Sequence, residues 1–364
     1  MIYVVGTTIA AFLCLALLLK KKKGSAEYIL AAWMLVAAFH QLLFYLTWSG
    51  QAMKHPHLLG LSLPLPVLYG VMLYFYTSEI TEEKPFSWRV AGLHLLPFFC
   101  LIGLALPFYS LSAAEKKQVF ENDGADYLWY QYILLSWFTI ATIGYAFWAL
   151  KLIRNTRRRA QHFFSNTEKR NLAWLEYLSF GLVAICLLVL FFDDTIIFSG
   201  VAFLMVFIGL HGINQTAIFQ SDRLSESVTL PETTAAAENS RYLKSGLKEA
   251  EAEQLFLRLQ ELVHVEKPFK NPDLTLTELA KSLDVHPNYL SQVINEKAQR
   301  NFYNYINTRR VEEFLKLAAL PGYKHYTLLA LAFECGFNSK STFNKYFKLH
   351  TGKTPSTFFQ EINN

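Results

Sequence analysis

Long apolar stretches recur through the first two thirds of the chain, and each is close to the length needed to cross a bilayer. About 20 apolar residues in a helix span the roughly 30 Å of hydrocarbon. Seven such segments are present, at residues 3–19, 28–48, 58–78, 90–111, 128–150, 172–192 and 195–213. The pattern therefore predicts a bundle of seven transmembrane helices over residues 1–214.

The last third of the chain has a different pattern, in which short amphipathic helices alternate with turns. Residues 276–294 contain two helical stretches separated by a turn, and residues 328–347 repeat the plan. A single amphipathic helix at residues 302–317 lies between them. The spacing predicts two helix-turn-helix units joined by a helix, over residues 269–364. The whole chain is accordingly predicted to be all-α.

The two regions are separated by a stretch of different composition. Residues 215–241 are rich in Ser, Thr, Glu and Ala, with too few apolar side chains to offset the entropy of ordering, so a flexible linker is predicted. Residues 242–268 follow as a linker or dimerisation helix. Its apolar stripe is expected to pack against a core, with a dimer contact as the alternative. The stripe consists of Leu255, Leu259, Leu262 and Val263.

Local signals mark where the helices of the two units begin. Thr275 and Glu278 form a T-x-x-E capping box, and Pro287 suits the first position of a helix. In the second unit Gly336 allows a sharp turn, and Asn338 is expected to cap the helix that follows. The side chains expected to anchor the cores are Leu290, Val293, Ile294, Phe343 and Phe347.

Composition and charge agree with this division. The chain is 52% hydrophobic and only 17% charged, which is too apolar for a protein that is soluble throughout. An excess of Lys and Arg marks cytoplasmic loops, and it occurs at residues 20–23 and 151–170, whereas the loop at 115–126 is acidic. Seven spans then place the N-terminus outside and the C-terminus in the cytoplasm.

The cysteines give no sign of a metal site. They lie far apart without metal-ligand spacing, and all four are predicted to be packing residues. They are Cys14, Cys100, Cys186 and Cys335. Neither a metal nor a cofactor is predicted.

On the second helix of each pair, polar side chains are expected to point outward, where they are suited to DNA. Amides and hydroxyls can hydrogen-bond base edges in a major groove, whereas lysines can bind phosphates. Residues 323–353 contain five lysines and one acid, Glu334. The predicted DNA-binding residues are Asn288, Ser291, Gln292 and Asn295 in the first unit, and Lys340, Thr342, Asn344, Lys345 and Lys348 in the second.

Residues 274–358 resemble the C-terminal domain of AraC/XylS-type transcription regulators. The strongest similarity lies in ALAFECGFNSKSTFNKYFKLHTGKTPSTF, with the small residue, the Gly-Phe turn, the Phe-Lys pair and the later Gly and Pro in place. Three positions depart from the family pattern. His286 stands where a Ser cap is usual, Lys345 where Arg is common, and Phe314 where the connecting helix usually has a small residue. The layout is similar to that of membrane-anchored members. This resemblance implies a location in the cytoplasmic membrane of a bacterium and a membrane region that controls promoter binding.

Polar side chains in the apolar region suggest a second site. Ionisable groups within spans are costly and are therefore functional candidates. An outward-opening ligand pocket is one hypothesis, and its residues are His40, Gln41, Asp193 and Asp194. The alternative is structural: a histidine bonded to a neighbouring helix and a solvated turn.

The sequence thus favours a membrane-anchored one-component transcription regulator and not an enzyme. Its expected partners are double-stranded promoter DNA, the lipid bilayer, a small-molecule or envelope signal, a second copy in a homodimer, and RNA polymerase. One alternative is a membrane transporter or enzyme with a helical protein-docking domain, although no nucleophile with a paired base, metal cluster or phosphate loop supports it. Another is a constitutive regulator with an inert anchor.

Overall fold

The computed structural model describes residues 2–21, 23–81, 87–167, 172–226, 249–323 and 325–363. In this part of the chain every regular element is a helix, which confirms the all-α prediction. The chain divides into two compact units. The apolar unit contains residues 1–156 and 172–229, and the C-terminal unit contains residues 157–171 and 230–364.

Nine α-helices begin in the described part of the apolar unit. They are α1 (Ile2–Leu19), α2 (Ser25–Trp48), α3 (Val67–Thr81), α4 (Trp88–Leu104), α5 (Leu106–Tyr109), α6 (Ala113–Glu121), α7 (Leu128–Phe163), α8 (Ala173–Phe191) and α9 (Asp194–Glu226). Among the described residues, five helices are long and apolar enough to cross a membrane, namely α1, α2, α7, α8 and α9.

The other two predicted spans are shorter than expected. The segment at 58–78 becomes helical only at Val67, because Pro64 and Pro66 lack the amide hydrogen that would continue a helix upstream. The helix α3 therefore has 15 residues. The segment at 90–111 is divided at Ala105 between α4, with 17 residues, and the single turn of α5. Five long helices and two short ones thus occupy the seven predicted positions.

The outer surfaces of the long helices are apolar. Phe12, Leu35, Phe147 and Phe203 are each more than 60% exposed. Soluble proteins rarely expose contiguous apolar surface of this kind, because contact between an apolar side chain and water is unfavourable. These helices are therefore consistent with insertion into a membrane.

The last apolar helix extends beyond the predicted span. Helix α9 continues from Asp194 to Glu226, so residues 215–226 of the predicted linker are helical. The remainder of that linker, together with residues 242–248, lies outside the described residues, and a linker there stays a prediction.

In the described residues, the C-terminal unit contains seven further α-helices. They are α10 (Glu249–Val265), α11 (Leu276–Ser282), α12 (Pro287–Ala298), α13 (Phe302–Ala318), α14 (Leu328–Glu334), α15 (Lys340–Thr351) and α16 (Pro355–Asn363). The predicted pairs α11–α12 and α14–α15 are present, with α13 between them.

Two hydrophobic cores share the helix α13. Its first half contributes Phe302 and Ile306 to a core with α10, α11 and α12. Its second half contributes Val311 and Phe314 to a core with α14 and α15. The stripe on α10 packs into the first core, as Leu255, Leu259 and Val263 are all buried there, so the core-packing prediction is confirmed. Because α13 belongs to both cores, it fixes the spacing of the two pairs.

Candidate nucleic-acid interface

The first helix-turn-helix forms as its local signals predict. Thr275 accepts a hydrogen bond from the Glu278 amide, and the Glu278 carboxylate accepts one from the Thr275 amide, which completes the capping box. Helix α12 has Pro287 at its start, and the ring nitrogen Nδ1 of His286 accepts from the Asn288 amide at 3.2 Å. The histidine therefore performs the capping function that a serine would otherwise supply.

The two faces of α12 separate apolar from polar side chains. Leu290, Val293 and Ile294 are fully buried, as predicted. On the other side Asn288 is exposed, and Ser291 and Asn295 are half-buried. These three remain available to a DNA surface.

Gln292 does not occupy the exposed face that we expected. It is 7% exposed, and its Nε2 donates to the Glu296 carboxylate at 2.9 Å. A side chain at i can reach i+4 on the same face of a helix, so this pair satisfies the amide within α12. The prediction that Gln292 points outward is therefore wrong. A hydrogen bond between Gln292 and a DNA base stays a prediction.

The second helix-turn-helix depends on a close approach at Gly336. This residue has φ +91, and a Cβ added there would lie 2.3 Å from the carbonyl oxygen of Phe269. Only a glycine fits both the left-handed backbone and the short distance. The predicted turn is confirmed, and the structure adds the reason for it, which is contact with residues 269–270.

Helix α15 is capped one residue later than predicted. The Ser339 side chain accepts from the Thr342 amide at 3.2 Å, so Ser339 is the N-cap and Asn338 is not. Both residue types make good caps, and the start of the helix decides between them. Phe343 and Phe347 face the core, as predicted.

The outer face of α15 is polar and basic. Thr342 is half-buried, whereas Lys340, Asn344, Lys345 and Lys348 are exposed. His350 and Lys353 are exposed just beyond them. Such a run of positive charge attracts phosphates over a distance of about a Debye length.

Two residues that sequence reasoning had not assigned to DNA also lie on these surfaces. Tyr289 follows Asn288 on α12 and is 41% exposed, which is unusual for an aromatic side chain in a small core-forming helix. His350 lies one turn beyond Tyr346 near the end of α15. Their exposure is a tertiary property that spacing alone does not indicate, since aromatic residues at such positions are more often buried.

Phe314 fills the centre of the second core. Its ring centroid lies 4.7 Å from that of Phe343 and 5.7 Å from that of Phe347, and its side chain is fully buried. The large residue at this position therefore changes packing, as expected for this departure from the family pattern, and contributes aromatic contacts that a small residue would lack.

A buried carboxylate links α13 to the loop before the first unit. Glu313 is 3% exposed and accepts from Lys267 at 2.7 Å, with Lys270 at 3.3 Å. Burial alone would raise the pKa of this carboxyl, but the two lysines outweigh it and hold the pKa below its ordinary value. Glu313 is therefore charged at neutral pH.

The comparison with family models agrees with this geometry. Residues 279–361 match the model of a helix-turn-helix domain, an interval that runs from α11 to α16. This match supports an AraC-type regulator that binds double-stranded DNA, a class that is typically not enzymatic. Searches of curated proteins and of solved structures gave no significant match.

The residues proposed for a ligand pocket lie in different environments. His40 Nδ1 is 2.8 Å from the hydroxyl of Tyr69, and Gln41 Nε2 donates to the sulfur of Met205 at 3.1 Å. Both side chains are buried inside the bundle. Asp193 and Asp194 are exposed at the turn between α8 and α9. A ligand-binding role for these four residues stays a prediction.

The apolar unit contains a cavity of about 490 Å³ elsewhere. Apolar and aromatic side chains such as Phe108, Tyr130 and Phe138 form most of its wall, with Asp123 and Gln131 as polar members. Apolar walls with a few polar groups are typical of small-molecule sites. Among the described residues that line this cavity, His40, Gln41, Asp193 and Asp194 do not occur.

One cysteine differs from its predicted role. Cys14, Cys186 and Cys335 are buried, whereas Cys100 on α4 is exposed. Its helix face lies on the surface of the apolar unit, so packing inside a core does not explain it. Among the described residues, no group of three His, Cys, Asp or Glu side chains is placed to hold a metal ion.

Proposed function

We propose that this chain is a one-component transcription regulator anchored in the cytoplasmic membrane of a bacterium, with its AraC-type unit in the cytoplasm. The observation that carries the proposal is the match of residues 279–361 to a helix-turn-helix domain in a chain whose described residues include five apolar helices long enough to span a membrane. One polypeptide would then bring a signal from the envelope to a promoter, where RNA polymerase is the expected further partner.

The proposed DNA contacts divide according to chemistry. Lys340, Lys345 and Lys348 bind phosphates, because an exposed ammonium group is a point charge with little base selectivity. Asn288 and Asn344 read base edges, because an amide can form the paired hydrogen bonds that adenine offers. Ser291, Asn295 and Thr342 are half-buried beside them and complete the two surfaces.

Chromatin immunoprecipitation with the full-length chain tests this function. Enrichment of discrete promoters is expected for the wild type, and loss of enrichment is expected for a variant with Lys345→Ala and Lys348→Ala. A matched control is Lys117→Ala on α6 of the apolar unit, which should leave enrichment unchanged. A wild-type profile without discrete sites would refute DNA-binding regulation.

The proposed topology has its own test. Protease added to intact spheroplasts should leave a C-terminal tag intact, and should remove it after the membrane is opened. Digestion of the tag in intact spheroplasts would place the DNA-binding unit on the side away from the chromosome and would overturn the proposal.

Control by the apolar unit is the remaining part of the proposal. Replacing the apolar unit with an unrelated anchor, while keeping residues 157–171 of the C-terminal unit, should change promoter output. Unchanged output would mean that the apolar unit only anchors. Substitutions distinguish the two candidate ligand sites, which are the cavity beside Gln131 and the residues predicted from the sequence. Gln131→Ala changes the cavity, while His40→Ala and Asp194→Asn change the residues predicted from sequence. A small apolar molecule is the expected signal if Gln131→Ala alone alters the response.

A further inference from the structure

A short stretch at the end of helix α7 belongs to the C-terminal unit. Residues 163–166, named the docking segment here, include Ser165, which is 1% exposed, and Asn166, which is 8% exposed. Phe163 packs against the first core of the unit. Residues so buried outside a regular element must be held by a specific set of partners.

The backbone of the docking segment pairs with the chain just before α11. Phe164 and Thr275 form an antiparallel bridge, and the Ser165 amide donates to the Leu274 carbonyl at 3.1 Å. Beside this bridge, Nδ2 of Asn166 donates to the Asp273 carboxylate at 3.2 Å. The docking segment therefore pairs with residues 274–275 in the manner of a short antiparallel strand. Any extended peptide could make these backbone bonds, whereas the side-chain bond between Asn166 and Asp273 is specific to this segment.

Helix α13 supplies the other side of the binding groove. The Ser165 carbonyl accepts from Arg310 Nη1 at 3.1 Å and from Asn307 Nδ2 at 3.4 Å. The Ser165 hydroxyl accepts from Arg310 Nη2 at 3.1 Å. Two side chains on successive turns of α13 thus converge on one serine.

The groove is organised by bonds that do not involve the docking segment. Arg310 Nε donates to the Phe269 carbonyl and Nη2 donates to the Asn271 carbonyl, both at 2.8 Å. Burial lowers the pKa of Arg310 to about 10, so the guanidinium stays charged at neutral pH. A charged donor that is already fixed in direction binds a further acceptor with little loss of side-chain entropy.

We propose that this groove is a docking site for residues 163–166 of the same chain, and that the contact couples helix α7 to the DNA-binding helices. Helix α7 runs without interruption from Leu128 to Phe163, so the docking segment is its direct continuation. The groove residues Asn307 and Arg310 belong to α13, which joins the two helix-turn-helix pairs. The coupling to DNA rests on the proposed function, whereas the docking itself does not.

The position of the bridge explains how docking affects the first helix-turn-helix. Thr275, which pairs with Phe164, is also the N-cap of α11. The docked segment restrains the residues at the start of this helix. Release of the segment removes the hydrogen bond between the Ser165 amide and the Leu274 carbonyl. We therefore expect the docked form to hold DNA more strongly.

A disulfide trap in the full-length chain tests the docking. Cysteines are introduced as Asn166→Cys and Asp273→Cys, whose native side chains are in hydrogen-bond contact. A site for a specific protease is inserted between residues 231 and 240, so that the two halves separate on a gel unless they are cross-linked. The control pair is Asn166→Cys with Asn344→Cys, an exposed residue of α15. The single substitutions control for the native cysteines, of which Cys100 is exposed and Cys335 is buried.

A second set of variants separates docking from folding. Ser165→Pro removes the amide that donates to Leu274, whereas Ser165→Ala keeps the backbone bonds. Ser165→Pro should lower the cross-linking yield by about tenfold, because it removes the backbone bond to Leu274 as well as the hydroxyl bond to Arg310. Ser165→Ala, which removes only the hydroxyl bond, should lower the yield less. Protease resistance of α13 in Ser165→Pro confirms that the unit is still folded.

Promoter occupancy in the same strains tests the coupling. Ser165→Pro should reduce occupancy by about fivefold relative to Ser165→Ala, which is the low end of the range for linked sites. Cross-linking no greater than in the control pair would overturn the docking. Loss of cross-linking in Ser165→Pro with unchanged occupancy would overturn the coupling. Cross-linking of the chain with both introduced cysteines, together with no promoter occupancy by the wild-type chain, would instead refute the proposed function and leave the docking intact.

Discussion

The two glycines with left-handed backbone in the second helix-turn-helix provide a matched pair of substitutions. Gly336 has φ +91 and Gly352 has φ +78, so a side chain at either position meets similar backbone strain, about 1–2 kcal/mol. Their surroundings differ. An added Cβ at Gly336 would lie 2.3 Å from the Phe269 carbonyl oxygen and 2.9 Å from the Cα of Lys270, whereas at Gly352 no described atom lies within 4 Å.

The clash at Gly336 involves backbone that cannot move freely. The same Phe269 carbonyl accepts from Arg310 Nε at 2.8 Å, so a shift of residues 269–270 weakens a bond to a buried guanidinium. Overpacking of this kind costs about 1–3 kcal/mol, and a lost bond to a charged group adds about 1.5–3 kcal/mol. With partial relaxation, Gly336→Ala should destabilise the C-terminal unit by about 3–5 kcal/mol, and Gly352→Ala by about 1–2 kcal/mol.

The measurement is urea-dependent pulse proteolysis of the full-length chain in nanodiscs, followed through a C-terminal tag. The free energy of unfolding of the C-terminal unit is compared between the two variants. Equal destabilisation by Gly336→Ala and Gly352→Ala would show that backbone strain alone decides the effect, and the argument from the close approach to Phe269 would fail.

Three further predictions concern the same unit. Phe314→Ala, which empties the centre of the second core, should lower its free energy of unfolding by about 3–5 kcal/mol in the same assay, and a loss below about 1 kcal/mol would contradict that packing role. Glu313→Gln should destabilise by about 1–2 kcal/mol at pH 7. Because folding lowers the pKa of Glu313, its contribution to stability is fully present above the ordinary carboxyl pKa. This contribution is lost as the pH falls through the folded pKa, so the free energies of unfolding of wild type and variant should converge below that pH. Lys345→Ala should weaken promoter binding and reduce the slope of log affinity against log salt by about 0.9, and an unchanged slope would exclude a phosphate contact.

Features encoded by neighbouring residues could be predicted from the sequence. The capping box of Thr275 and Glu278, the start of α12 at Pro287 and the turn at Gly336 all appear in the structure where the pattern places them. Helix spacing likewise identified Leu290 and Phe343 as core residues. These properties depend on hydrogen bonds and side-chain contacts three or four residues apart, so a short window of sequence contains the information.

Features that depend on partners distant in the chain could not be predicted in this way. Gln292 is on the polar face by spacing, yet the folded unit buries it. The late start of α3 at Val67 is a different case, because Pro64 and Pro66 are local signals present in the sequence. Ser165 meets Arg310 across 145 residues of sequence, and nothing in the local pattern of either residue indicates the other.

The sequence by itself therefore determined the classes of helix in this protein: long apolar ones in the first part, and short amphipathic pairs with caps and turns in the second. Hydrophobic periodicity and capping are local, so they are visible before the chain folds. Only the tertiary structure decided which polar side chains stay exposed on α12 and α15 and which segment fills the groove beside Arg310. The exposure of each side chain depends on which helix surfaces pack together and exclude water. This packing is fixed only when all the helices of a unit are in place.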